Sequence, residues 1–326
     1  MSTRRALLAA TAAALPFSAA RAQRAWPERP VRMLVGYASG GGVDIVARLL
    51  AEPLRAALGQ PVLVENRPGA GAMIAAQAVA RGADDGHTLL MAAAGEIAVN
   101  PSLFKQRMTY DPARELQGVA LVAAIPNVIV AHPSVPARSP AELIAYARAN
   151  PGKLSFASAG IGNPQHLAGE MLNRMAGTDI LHVPYRGSAP ALTDVAAGRV
   201  TLNFSSLGAA LPLIRDGRLH AIAVTSRERM PQLPEVPALA ETPGLESYEL
   251  VNWFGLFAPA VMPAANVERL HATVAAALRD RDMASKLAEQ GGPARPMSAA
   301  EFRSFVAEET RKFARIVEEA DIRPEG

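Results

Sequence analysis

The chain has 326 residues, half of them apolar and 19% charged, which is globular composition long enough for one large domain or two ordinary ones. Aromatic residues make up 5%, too few for platforms that stack nucleic-acid bases, and the absence of cysteine excludes disulfides, thiolate metal sites and cysteine nucleophiles. The net charge of +3 resides in Arg4, Arg5 and Arg21. Without the first 22 residues the formal charge is 0, and no Lys/Arg cluster remains to track phosphates, so no nucleic-acid partner is expected.

Those first residues read as a cleaved export signal over 1–22. Arg4 and Arg5 precede an apolar run, Ala6 to Phe17, too short to cross a bilayer. Ala20-Arg21-Ala22 then offers a small-x-small cleavage site before Gln23. Thr3–Leu8 resembles a twin-arginine signal, and a Sec signal fits nearly as well. The alternative is a buried helix. With no second long apolar run and no cysteine to carry a lipid, the mature chain is expected to be soluble and free in a Gram-negative periplasm.

In chain order, Val31–Tyr37, Val62–Glu65 and Thr88–Ala92 read as buried strands. Between them, Asp44–Leu58 has helical apolar spacing, with Pro53 expected to kink it. Ala70–Arg81 is the next expected helix. This βαβαβ rhythm predicts a parallel sheet covered by helices. Val119–Ala131 follows as one long strand or two broken near Pro126. Ser139-Pro140-Ala141-Glu142 predicts a helix start leading to Asn150. Leu154–Ser158, Ile180–Tyr185, Val200–Phe204 and Leu219–Thr225 are expected strands, and Pro164–Ala176 and Ala189–Ala197 expected helices. The prolines from Pro231 to Pro243 suggest an exposed, extended crossing. Tyr248–Ala258 reads as a strand and Asn266–Leu278 as a helix. Ser298-Ala299-Ala300-Glu301 is a capping box for a last helix with an apolar stripe from Phe302 to Val317, expected to pack on the first lobe.

Two loops stand out. Tyr37–Gly42 and Ser158–Asn163 each follow a strand, are rich in glycine, alanine and serine, and open a helix. Glycine lets the backbone approach a ligand, and the helix behind presents unpaired N–H groups and the positive end of its dipole. Together these favour an anion, although tight turns use glycine equally well. In the second loop Asn163 is a good N-cap and Pro164 lacks an N–H, so donors are expected from Gly160 to Asn163, Gln165 or His166. Neither a dinucleotide fingerprint nor a P-loop is present, and no basic cluster stands nearby. A carboxylate suits such neutral donors better than a phosphate.

Several stretches carry a family resemblance. They are Pro30–Val35 with Gly40-Gly41-Gly42-Val43-Asp44, Val64-Glu65-Asn66-Arg67-Pro68-Gly69-Ala70-Gly71, Asp85-Gly86-His87-Thr88, Ser158-Ala159-Gly160 with His166-Leu167-Ala168, and His182-Val183-Pro184-Tyr185-Arg186-Gly187. Taken together they resemble the tripartite tricarboxylate transporter receptor family, also called Bug-type solute receptors. The resemblance implies an α/β, two-lobed type II periplasmic-binding-protein fold, mainly parallel sheets joined by crossing strands. The first lobe would be 23–123 plus 226–326, and the second 124–225. It implies a monomer without a cofactor that captures a small carboxylate: a di- or tricarboxylate, an acidic amino acid or an aromatic acid. Its partner would be a membrane transporter with one large and one small integral subunit. Backbone amides of Ser39, Gly40, Gly41 and Gly42 and of Ser158, Ala159, Gly160, Gly162 and Asn163 would hold the acid. Asn203-Phe204-Ser205 stands where the family usually has an acidic residue, and Ser205 is a candidate ligand contact there.

Further candidates are Tyr37 and Tyr185 as cleft walls or core residues, and His166 beside the second loop. Glu96 would serve as an amine partner or a helix cap, and Arg186 as a partner for a second carboxylate or a solvated strand end. Asp44 reads as a cap of its own helix. The six histidines show no metal-ligand spacing, and no Ser/His/acid set is evident, so neither a metal site nor an enzyme is expected. Two rival readings are a periplasmic hydrolase or lyase in the same cleft, and a ligand sensor that docks on a kinase.

Overall fold

The computed structural model describes residues 26–82 and 86–324; the expected export signal lies outside them. The first unit runs β1 (Val31–Val35), α1 (Gly42–Leu58), β2 (Val62–Asn66), α2 (Met73–Ala80) and β3 (Thr88–Ala93). A wide π-type turn at Gly95–Val99 leads into α3 (Asn100–Leu103) and α4 (Pro112–Glu115). β1 pairs in parallel with β2 and β3, as the βαβ rhythm predicts. Alternation along β1 sorts its side chains. Val31, Met33 and Val35 face α1, while Leu34 faces α2 and the later helices. α1 continues through Pro53 and buries Val46, Leu50 and Leu54 completely, each worth about 1.5–3 kcal/mol of apolar burial.

β4 (Leu116–Ala131) is one strand of 16 residues that runs straight through Pro126. The second unit follows with α5 (Pro140–Ala149), β5 (Ser155–Ser158), α6 (Pro164–Ala176), β6 (Leu181–Pro184), α7 (Ser188–Ala196), β7 (Leu202–Ser206), α8 (Leu207–Arg215) and β8 (His220–Val224). The chain then returns as β9 (Val251–Pro259), α9 (Ala264–Arg279), α10 (Arg281–Glu289) and α11 (Ala299–Glu319). The strand order is β2-β1-β3-β9-β4-β7-β5-β6, with β8 on β4. β4 belongs to both lobes. Its first part pairs with β9 and its last part with β7 and β8, all antiparallel.

The two crossings meet at one hydrogen-bonded cluster. Asn127 N–H donates to Thr225 Oγ1 (2.8 Å), and Thr225 N–H to the Asn127 carbonyl (2.9 Å). Thr225 Oγ1 donates to the Leu250 carbonyl (2.6 Å), and Leu250 N–H to the Thr225 carbonyl (2.9 Å). The chain was expected to return to the first lobe from 226, past this cluster. Residues 226–250 leave it and lie against the second lobe: Val224 bridges Ala238, and Tyr248 donates to the Ala168 carbonyl (2.7 Å).

The structure corrects three expectations. The helix expected from Ala70 begins at Met73, because Ala70, Gly71 and Ala72 all have positive φ (48°, 59° and 68°). That turn is held by Asn100 Nδ2, which donates to the Gly71 carbonyl (2.9 Å). The proline-rich stretch is not extended. It folds into turns and a 3-10 helix at Leu239–Glu241, because Met230, Ala238 and Leu239 bury their side chains and Arg229 grips Glu241. Finally, α8 and α10 were not anticipated: each is nine residues long, and α8 carries Pro212 in its interior. The last helix behaves as expected. The Ser298/Glu301 capping box forms, and Phe302 is buried edge-on to Trp253 (centroids 6.3 Å) beside β4 and the 95–99 turn.

Candidate functional site

The lobes enclose a narrow cavity. Tyr37, Gly41, Gly42, Val43, Ala93, Asn252 and Phe254 line it from the first lobe, and Ala159, Asn163, Gln165, Ser188 and Ser206 from the second. The walls touch along one side. Ala38 N–H donates to the Arg186 carbonyl across the lobes (2.9 Å). Gly187 packs so tightly there that a Cβ on it would lie 2.8 Å from Ala38 N. Gly42 is equally constrained, since a Cβ would lie 2.5 Å from Ser206 Oγ and 2.8 Å from its Cβ. Side chains at these points would hold the lobes apart, so the conformation is a closed one.

The start of α1 has no side-chain cap. Its first helical hydrogen bond is Ile45 N–H to the Gly41 carbonyl (3.0 Å), which leaves the N–H groups of Gly41, Gly42 and Val43 without an acceptor among the described residues. All three residues are buried. Buried unpaired amides are costly, and here they sit at the positive end of a 17-residue helix facing the cavity. Ser206 Oγ, on the opposite wall, is also buried and unpartnered. Asp44 turns away from the cavity. It accepts from Gly40 N–H (2.9 Å), Arg48 Nε (3.0 Å) and Asn66 Nδ2 (2.9 Å), and these donors hold its carboxyl below the usual range despite burial. Ser39 and Gly40 are exposed outside the cavity.

The second loop is arranged differently. Ala159 N–H donates to Gln165 Oε1 (2.9 Å), Gly160 N–H to Ser158 Oγ (3.1 Å) and Gly162 N–H to His166 Nδ1 (3.4 Å). Asn163 N–H donates to the Gly160 carbonyl (3.1 Å), and Asn163 Oδ1 caps α6 by accepting from Gln165 N–H (3.0 Å). The N–H groups of Gly160, Gly162, Asn163, Gln165 and His166 are therefore consumed by the loop and the first turn of α6, and of the expected donors Ile161 N–H has no acceptor among the described residues. What the second lobe offers instead is side chains. Gln165 Nε2 donates to Ser188 Oγ (2.9 Å), which leaves the Ser188 hydrogen free to donate.

Glu96 lies behind Tyr37. It is fully buried on the 95–99 turn, where it accepts from Tyr37 Oη (2.8 Å) and Ala93 N–H (2.9 Å). Burial pushes its carboxyl up to about 7, against the hydrogen bonds that favour ionisation. Burial first and the Glu96 charge second raise Tyr37 well above the ordinary phenol. Among the cavity-lining residues there is no Arg, Lys, Asp or Glu.

Of the residues expected from the sequence, the cavity gathers Tyr37, Gly41, Gly42, Ala159 and Asn163. Gly160, Tyr185 and Arg186 lie on a separate outer groove. Ser205 turns away, and its hydroxyl donates to the Ser206 carbonyl (3.1 Å). The neighbouring Ser206 takes the inward position because successive strand residues face opposite sides. Gly162 packs against Asn100. His166 stacks on His182 (centroids 4.1 Å), which stacks on Phe156 (4.9 Å). Burial holds His166 down to about 4, and burial then His166 hold His182 down to about 3. Ser158 Oγ lies 2.7 Å from His182 Nε2, a spacing that suggests a nucleophile and base. His182 Nδ1 has no acidic partner to orient it, and neither residue lines the cavity. Ser188, Ser206 and Asn252 escaped the sequence reading. Strand parity would have found Ser206; nothing local marks Asn252.

A family model, the tripartite tricarboxylate transporter family receptor, matches residues 46–322 of this chain. The chain belongs to that family. It is a solute-binding receptor, as are its structural neighbours. A Pseudomonas sp. (strain P51) protein encoded in the tcbD-tcbE intergenic region is 41% identical to the receptor, covering 88% of this chain and 86% of its own. The receptor superposes on R. palustris Rpa4515 with adipate at a TM-score of 0.89 and 37% identity, over 92% and 100% of the two chains. It superposes on Rhodopseudomonas palustris MatC with bound malate at 0.85 and 33%, over 90% and 100%. No helix among the receptor's described residues is long and apolar enough to cross a membrane.

Proposed function

We propose that the receptor works in the periplasm, captures a small carboxylate in the cavity at the start of α1, and delivers it to a membrane transporter with one large and one small integral subunit. The observation that carries this reading is the set of buried, unpartnered N–H groups of Gly41, Gly42 and Val43 opposite the unpartnered Ser206 hydroxyl. A carboxylate brings one charge and two acceptor oxygens, which suits neutral donors and a helix dipole without a cation. A phosphate would bring a second charge that nothing lining the cavity balances. Relatives whose structures hold adipate and malate support an acid as the solute.

Closure follows from the same geometry. Gly41–Val43 belong to the first lobe and Ser188 and Ser206 to the second, so one ligand touching both favours the state in which they approach. The Asn127–Thr225–Leu250 cluster is the proposed hinge.

Thermal shift of the mature protein against mono-, di- and tricarboxylates and acidic amino acids tests the reading. An acid at a hundred times its Kd should stabilise the protein by about 2.7 kcal/mol, and its amide analogue should not. If no acid raises the Tm of protein shown by mass spectrometry to be unliganded, the reading is wrong.

A further inference from the structure

Outside Tyr37 lies a second space, a groove of about 710 Å³, within the range of small-molecule sites of roughly 300–1,000 Å³. Its first-lobe wall runs along 68–74 and ends at Phe104 and Arg107, and its second-lobe wall consists of 159–161 and 184–186. Tyr37 and Ala159 face both the groove and the inner cavity. The two spaces differ in charge. The inner cavity has no charged side chain on its walls, whereas the groove has Arg107 on one lobe and Arg186 on the other, and no Asp or Glu.

Both arginines are exposed, and neither guanidinium has an ion pair or hydrogen bond among the described residues. Some surface arginines are paired, Arg67 with Glu65, Arg199 with Asp194 and Arg229 with Glu241, and others such as Arg218 and Arg227 are not, among the described residues; what sets Arg107 and Arg186 apart is that they line one groove from opposite lobes. An anion that joined these two cations on facing walls would favour approach of the lobes. The groove also has an apolar floor for the body of such an anion. Ile74 is 50% exposed, and Phe104 and Tyr185 contribute rings.

We propose that this groove is a second anion site, which takes a di- or tricarboxylate with a short apolar body. It receives the solute at the mouth of the cleft, and the anion, held by Arg107 and Arg186 together, favours approach of the lobes. The two sites divide the work: long-range attraction and orientation outside, neutral amide recognition inside. The inference rests on the proposed function for the class of solute alone; the groove and its cations stand apart from it.

NMR of the mature protein labelled on arginine side chains, backbone amides and Ile74, titrated with citrate, tests the proposal. The Arg107 and Arg186 Nε–Hε signals should shift along one curve with a shared midpoint. The R107Q/R186Q double variant should raise the midpoint read at Ile74 at least tenfold. Static arginine signals, different midpoints for the two, or an unchanged Ile74 curve in the variant would overturn it. Saturation by inorganic phosphate at the same concentration, with Ile74 unmoved, would overturn the apolar-body assignment. The two sites report separately. If the arginines respond and the Gly42 and Val43 amides do not, the groove stands and the inner reading falls; the opposite pattern sinks the groove alone.

Discussion

At the start of α1, the N–H groups of Gly41, Gly42 and Val43 are buried without acceptors among the described residues; at the start of α6, those of Ala159, Gly160, Gly162 and Gln165 each have an acceptor in their own loop or the first turn of α6. In sequence the two loops look like repeats of one device. In three dimensions the second satisfies all its amides but that of Ile161, while the first requires an acceptor from elsewhere. The difference separates two kinds of recognition. On the proposed function, the first lobe reads an acid through its main chain, which any carboxylate satisfies. On the same reading the second lobe reads through the Ser188 and Ser206 side chains, whose size and polarity would set which acid fits.

The strongest way to break this comparison is G42A. A methyl group there meets Ser206 across the lobes, so the variant should fold but close poorly. We expect affinity for the best acid to fall at least a hundredfold, about 3 kcal/mol, in calorimetry, with the unliganded Tm little changed. Unchanged affinity would mean that closure at Gly42 is not part of binding.

Glu96 gives an effect of similar size that depends on pH. Its folded value, about 7, is above its ordinary 4.5. The folded state therefore holds the proton between those values, and the stability is fully present below pH 4.5 and is lost as pH rises through 7. The loss approaches about 3 kcal/mol. E96Q should flatten that part of the denaturant-measured stability profile. His166 and His182 act with the opposite sign. Their folded values are below 6.5, so their contribution is present above pH 6.5 and is lost as pH falls below it, and H182F should reduce the acid-side loss.

S206A removes one buried hydroxyl donor and should weaken acid binding about tenfold, while its Tm holds. N163A sharpens the comparison from the other loop. It removes the α6 cap, so it should cost about 1 kcal/mol of stability in urea unfolding and change affinity less than S206A does.

Much of the scaffold was legible because its signals are local. Asn163-Pro164 starts α6 at the residue expected, and Ser298 with Glu301 forms the box that opens α11. The apolar run around Pro126 reads as strand, and it is one, because Pro126 falls where β4 passes between lobes. The site was legible only in part, because its decisive pairings act through space. That Gln165 would use the Ala159 amide, or that Asn252 would reach the cavity from β9, has no trace in neighbouring residues. Ser205 and Ser206 differ only in parity, and a strand boundary misjudged by one residue exchanges them. At 70–72 the helical pattern was real but lost to a tertiary constraint, the Asn100 contact to Gly71.

The contact between Ala38 N–H and the Arg186 carbonyl is made by main chain on both sides. A proline at position 38 would delete it and a side chain at Gly187 or Gly42 would hold it open, but changes that keep those backbone positions leave the clasp alone. If the proposed function holds, the serines and asparagines inside the cavity can change, and the solute with them, while this main-chain clasp stays. Evolution of solute preference in such a molecule need not pass through a form that has forgotten how to shut.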